Sequence, residues 1–189
     1  MPSLRRARER GTGYDTGSPS VGRPILLASG STNVADGLTF VDTNLLLYAH
    51  DRQAGQRHEE AVRITDELWQ RGTGALSTQV LQEFYVNATR KLKQPISRSD
   101  ARDIVADYAT WRVQPVSARD VLDASLMEEQ HTLSFWDALI VVAAMRTGAA
   151  VLLSEDLQDG RKFGAVTVRN PFDPIRPVTS RRRRAAPSW

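Results

Sequence analysis

Residues 38–51, LTFVDTNLLLYAHD, decide how the rest of the chain is read. Thr39, Phe40 and Val41 are β-branched or aromatic, the residue types that suit a buried, pleated strand. From about Asn44 the leucines, Tyr48 and Ala49 read as a short helix. Asp42 stands at the junction. A carboxylate there can cap the helix, a contribution of about 1 kcal/mol. It can equally form one wall of a site at the end of the strand. The stretch by itself leaves both readings open.

Outward from this junction, short apolar runs alternate with helix-length amphipathic segments. A helix over 56–70 places Ala61, Ile64, Leu68 and Trp69 on one side. GALST at 74–78 reads as a strand, and the helix after it, 79–93, is stopped by Pro95. Ser99 or Asp100 starts another helix, through Trp111. VQPV at 113–116 is a short strand or an extended link, which Pro115 confines to a sheet edge or strand end. Ser117 opens a helix to about Gln130, and Ser134 opens one that ends near Gly148. AVLLS at 150–154 and AVTVRN at 165–170 are the last strands. Strand, helices, strand is the order of an α/β fold, a parallel sheet with helices on both faces.

The 189 residues favour one domain with tails. A hydrophobic fraction of 41% is enough for a packed core. Cysteine is absent, which excludes disulfides and thiolate metal sites and fits a reducing cytoplasm. The longest apolar run, ALIVVAAM at 138–145, is too short to span a bilayer, and PILLA at 24–28 is shorter than a secretory core. A soluble, cytoplasmic protein is expected. The net charge of +3 is unevenly spread: residues 1–37 carry +2 and 174–189 carry +5, leaving 38–173 at −4. Segment 1–37, rich in Gly, Ser, Thr and Arg, is expected to be disordered, or to precede a natural start near Val34 or Leu38. RRRR at 181–184 is either a solvated tail or an arm that seeks phosphate without reading sequence.

Four acids fall at related places in this pattern. Asp42 ends the first strand, and Glu83 lies one turn into the helix after GALST. Asp137 is in the first turn of the helix that begins at Ser134, and Asp156 follows AVLLS. Strand ends and helix N-termini of an open parallel sheet share one edge, where ligands bind. Each acid also has a purely structural reading. Asp42 and Asp156 can be caps; SFWD at 134–137 fits a capping box; Glu83 can be a solvated residue that favours the helix dipole. For Asp137 the next residues argue against full solvation, since the most apolar helix of the chain follows it and should be buried. Two carboxylates ~6 Å apart at an effective dielectric of ~20 repel by roughly 3 kcal/mol. Neutralising one at pH 7 costs ~4 kcal/mol from a reference pKa near 4. A convergent set therefore needs protons or a cation, and oxygen ligands favour magnesium or manganese over zinc.

The stretches FVDTNLLLYA at 40–49, STQVLQEFY at 77–85, SFWDALIVVAA at 134–144 and LLSEDLQDG at 152–160, closed by VRNPF at 168–172, resemble the PIN-domain nucleases. Within these they look most like the VapC toxins of bacterial toxin–antitoxin pairs. The resemblance covers roughly 38–173. It implies a PIN-like three-layer α/β/α fold with a central parallel sheet. It also implies a magnesium-dependent endoribonuclease whose catalytic acids are Asp42, Glu83, Asp137 and Asp156. Asp42 and Asp137 would hold the metal directly and Asp156 closely or through water, with manganese possible in place of magnesium. Ser154 matches a supporting hydroxyl position. RNA would be the substrate, an antitoxin the partner and a homodimer the assembly, and products would carry a 5′-phosphate and a 3′-hydroxyl. Two other readings stand beside this one: a housekeeping RNA-processing nuclease without antitoxin, and a nucleic-acid-binding module whose acids are structural.

Other residues carry weaker signals. Trp136 either packs in the core or stacks on a base. Thr43 and Asn44 either hydrogen-bond the first acid or start the helix. Arg161 and Lys162, after the Asp-Gly turn, either hold phosphate or lie in a solvated loop. Arg90, Lys91 and Lys93 read as a solvated helix end. His50, His58 and His131 show no ligand spacing and are expected at the surface.

Overall fold

Six strands and six α-helices make up residues 37–173, the part of the chain described by the computed structural model. The expectations for the N-terminal extension up to residue 36 and for the basic tail 174–189 lie outside the described residues. In chain order the elements are β1 (Thr39–Val41), α1 (Thr43–His50), a 3-10 turn (Arg52–Ala54), α2 (Gln56–Arg71), β2 (Gly74–Ser77), α3 (Thr78–Arg90), α4 (Arg98–Tyr108), β3 (Arg112–Gln114), α5 (Ala118–His131), α6 (Phe135–Thr147), β4 (Val151–Leu153), β5 (Lys162–Phe163) and β6 (Val166–Arg169).

Helix boundaries follow local chemistry. Ser77, Ser97, Ser117 and Ser134 cap α3, α4, α5 and α6, each hydroxyl accepting a backbone N–H of the first turn. At Gly148 the chain turns left-handed and closes α6, a conformation in which a Cβ is strained. Two helices stop earlier than expected: α3 ends at Arg90 and α4 at Tyr108, where Trp111 turns back to bond the Tyr108 carbonyl. The two-residue β5 was not expected and forms an antiparallel pair with β6.

The sheet runs β3-β2-β1-β4-β6-β5, parallel except at β5. The expected three-layer α/β/α arrangement around a parallel sheet is therefore present, with β3 on the edge where Pro115 allows it. From β1 the chain steps outward to β2 and β3. It then crosses back through α5 and α6 to lay β4 on the other side of β1, with Phe40 opposite Leu152 and Val41 opposite Leu153. This reversal beside β1 is a topological switch point, where the strand ends leave a crevice.

All three residues of β1 are buried, as in a parallel sheet covered on both faces. Helices α1 to α4 pack among themselves, while α5 pairs with α6 and α6 lies against β2 and β3. The main core gathers Phe40, Leu46, Leu76, Phe84, Tyr108 and Leu152. A smaller one joins Ala124 of α5 to Ala138, Leu139 and Val142 of α6. Helix α6 is buried continuously from Ala138 to Ala144, which fits its apolar circumference. No helix among the described residues is long and apolar enough to cross a membrane.

Gly74 opens β2 under the ring of Trp111, which also meets Trp69 and Tyr108 with ring centroids 5.1 and 5.2 Å away. A Cβ at Gly74 would fall inside the van der Waals envelope of that ring. Gly74→Ala is expected to lower stability by about 1–3 kcal/mol through overpacking, and Trp111→Leu in the same chain to restore part of the loss. Urea unfolding of the parent and the two variants checks this; an unchanged midpoint for Gly74→Ala would contradict the packing described.

Candidate functional site

The site grows from the pairing of β1 with β4. The backbone N–H of Asp42 donates to the Leu153 carbonyl at 3.0 Å, carrying the ladder one residue past β1. That places Asp42 beside Ser154. Asp42 Oδ1 accepts the Thr43 N–H at 2.6 Å and Oδ2 accepts the Ser154 hydroxyl at 2.7 Å. Ser154 Oγ in turn accepts the Asp156 N–H at 3.2 Å, so one hydroxyl ties the two acids that flank the switch point. Asp42 is both the cap of α1 and a wall of the crevice.

The remaining acids are held from neighbouring elements. The Thr43 hydroxyl donates to Glu83 Oε2 at 2.8 Å and Gln79 Nε2 donates to Glu83 Oε1 at 2.9 Å. Asn44 Nδ2 donates to Asp156 Oδ2 at 2.7 Å. Asp137 Oδ2 accepts the Ser134 hydroxyl at 2.8 Å, and Ser134 Oγ accepts the Asp137 N–H at 3.1 Å. Gln79 Nε2 also reaches the Trp136 carbonyl at 3.4 Å and so links α3 to the start of α6. The side chains of Thr43 and Asn44 thus serve Glu83 and Asp156; of these two residues, only the Thr43 backbone N–H reaches Asp42, which also accepts the Ser154 hydroxyl. Gln79 carried no signal in the sequence reading beyond its place four residues before Glu83, one helical turn away on the same face.

Electrostatics make these acids a unit. Asp42 is 7% exposed. Burial pushes its carboxyl up to about 6; the bonds from Ser154 and Thr43 oppose the shift, and the charges of Asp156 and Glu83 add to it. Asp156 is raised by burial and then by Glu155 and Asp137, against the bond from Asn44. Among the described residues no arginine or lysine forms an ion pair with any of the four. Arg57 pairs with Glu155, the neighbour of Asp156 in the chain, at 2.9 Å. The result is negative charge held by neutral donors. Among the described residues no three histidine or acidic side chains converge into a ready-made metal cage. Each of the four carboxylates is turned onto its own neutral partner.

Several weaker expectations change. Arg161 neither holds an open phosphate site nor lies in a solvated loop: it donates to the His131 carbonyl at 2.6 Å and covers the Phe163 ring. The histidines are half-buried packing residues rather than surface ones. His50 lies against Phe84 and Tyr108, His58 bonds the Tyr48 carbonyl, and His131 packs on Phe163. Burial lowers His50 to about 4. Trp136 is 62% exposed and does not belong to the core.

A family model described as PIN domain matches residues 39–161, a span that includes all four acids. No curated protein matches the chain. Among solved structures, the chain is similar to the toxin VapC20 of Mycobacterium tuberculosis, described as cleaving the Sarcin-Ricin loop: 23% identical, covering 60% of this chain and 86% of that one, TM-score 0.46. A toxin–antitoxin complex from Klebsiella pneumoniae is 18% identical over 72% of this chain and 99% of that one, TM-score 0.54. VapBC2 from Rickettsia felis, bound to a DNA fragment from its promoter, is 17% identical over 70% and 98%, TM-score 0.50.

The raised Asp42 carboxyl has a consequence for stability. The folded state holds this proton up to about pH 6, whereas the unfolded chain releases it near 3.8. Stability therefore falls as pH rises through that window and stays lower above it, by about 3 kcal/mol. In chelator, Asp42→Asn is expected to be more stable than the parent at about pH 8 and to lose that advantage towards about pH 4. Urea unfolding across this range tests it; a difference that does not vary with pH would contradict the burial penalty.

Proposed function

Because the chain belongs to the PIN domain family, we propose that it is a magnesium-dependent endoribonuclease, the toxin of a toxin–antitoxin pair acting in the cytoplasm. The observation that carries this reading is the set of four carboxylates around the switch point, held by hydroxyls and amides and, among the described residues, paired with no arginine or lysine. Such a donor set suits a hard divalent ion: it is all oxygen and carries uncompensated negative charge. Asp42 and Asp137 would hold magnesium, or manganese in its place, with Asp156 directly or through water. When bound, the ion supplies positive charge to a phosphoryl oxygen and acidifies a water.

The chain's own residues do the rest. Ser154 fixes Asp42 and the Asp156 backbone together, so these two acids keep one spacing. Thr43 and Gln79 each occupy one oxygen of Glu83, which fixes the carboxylate plane and leaves lone pairs to orient a water and accept its proton. The water oxygen bonds to phosphorus as the bond to O3′ breaks. O3′ takes up a proton, leaving a 3′-hydroxyl and a 5′-phosphate. The similar folds from Klebsiella pneumoniae and Rickettsia felis belong to toxin–antitoxin assemblies, which supports an antitoxin as the partner. A homodimer is proposed on the family resemblance.

Purified protein incubated with total RNA and magnesium is expected to generate new 5′-phosphate ends that disappear in chelator. Asp42→Asn, Glu83→Gln, Asp137→Asn and Asp156→Asn should each slow cleavage by about 100-fold or more. Cleavage by Asp42→Asn at the parent rate would refute the assignment.

A further inference from the structure

Trp136 is the second residue of α6 and directly precedes Asp137. The helix it begins is the most continuously buried in the fold, yet this indole is 62% exposed. The two other tryptophans among the described residues, Trp69 and Trp111, pack with Tyr108 in an aromatic cluster. The Trp136 ring is braced edge-on by Phe135, with centroids 5.5 Å apart. Its backbone is fixed as well: the amide of Gln79 that reaches the Trp136 carbonyl also holds Glu83. A rigid aromatic face therefore sits at a set position relative to two of the four acids, Asp137 by chain adjacency and Glu83 through Gln79.

Resting on the nuclease reading above, we propose that Trp136 is a stacking platform for a nucleobase of single-stranded RNA lying across the acidic edge. The acids by themselves repel phosphate, so a contact that carries no net charge adds affinity that the edge's own side chains do not supply. A base stacked on an indole supplies such a contact, and every base has a face to offer. A base inside a duplex has no free face, so the platform selects unpaired segments such as loops and ends. The position of the indole favours RNA over a protein partner. The other large exposed apolar residues of this layer, Val121, Leu122 and Leu126 on α5 and Met145 at the far end of α6, do not belong to the first turn that carries Asp137.

The test uses the full chain, calcium in place of magnesium, and a short fluorescein-labelled single-stranded RNA of mixed sequence. A matched oligomer made of abasic nucleotides serves as the second probe. Trp136→Ala is expected to weaken RNA binding by about 10-fold or more and to leave abasic binding unchanged. Trp136→Phe should retain most of the affinity while losing the quenching of indole emission that RNA causes in the parent. Equal RNA affinity for Trp136→Ala and the parent overturns the proposal, as does an equal loss on the abasic oligomer. Unchanged RNA affinity with loss of a co-expressed antitoxin assigns the indole to a protein partner and also overturns it. RNA left uncut in magnesium, with Trp136-dependent binding intact, refutes the nuclease reading and supports the platform.

Discussion

The parallel register of β1 against β4 is the constraint on which the acidic edge depends. Val41 opposite Leu153 brings Asp42 next to Ser154, and the Ser154 hydroxyl joins Asp42 to the Asp156 backbone. A slip of one residue would turn every side chain of β1 to the opposite face, and with it Asp42 away from the crevice. Burial of Thr39, Phe40 and Val41 on both faces of the sheet makes such a slip costly. The hydrophobic core and the polar site are thus set by the same few backbone bonds.

Two buried aspartates in this protein show what distinguishes a structural acid from a candidate catalytic one. Asp120 is 3% exposed and accepts the backbone N–H and hydroxyl of Ser117 in a capping box. Those bonds, with Arg146 at 3.3 Å, hold its carboxyl below the usual range. Asp42 is comparably buried, has hydrogen bonds of similar length, and is raised to about 6. At Asp42 burial is the larger cause and the two neighbouring acids add to it; at Asp120 the Ser117 backbone N–H is the larger cause and Arg146 adds to it. Charge left uncompensated inside a fold costs stability and gives a bound cation its reward.

Much of this was legible in the sequence because it is local. Ser117 and Ser134, the β-branched run at 39–41 and the apolar run at 138–145 announce their elements one at a time, whereas the cap of α4 is Ser97 rather than Ser99 or Asp100. Asp42 and Asp156 follow strands, so their edge could be read from chain order alone. Asp137 could not be placed this way, since α6 does not follow a strand and reaches the edge only by packing on β2 and β3. The partners of the acids were hidden for another reason. Thr43 and Gln79 converge on Glu83 from separate elements, and Asn44 crosses to Asp156. Trp136 stayed open because an aromatic ahead of an apolar helix can read as core or as an exposed platform, and only the helix rotation shows that it faces out.

On the nuclease reading, these carboxylates would act as one electrostatic unit that takes a cation. Carbon-13 NMR titration of the aspartate side chains tests it most directly, with Asp42 followed in metal-free protein and again with magnesium. Asp42 is expected to titrate near 6 without metal and to shift downward once magnesium is added. An Asp42 that titrates near the ordinary 3.8 and ignores the ion would contradict it.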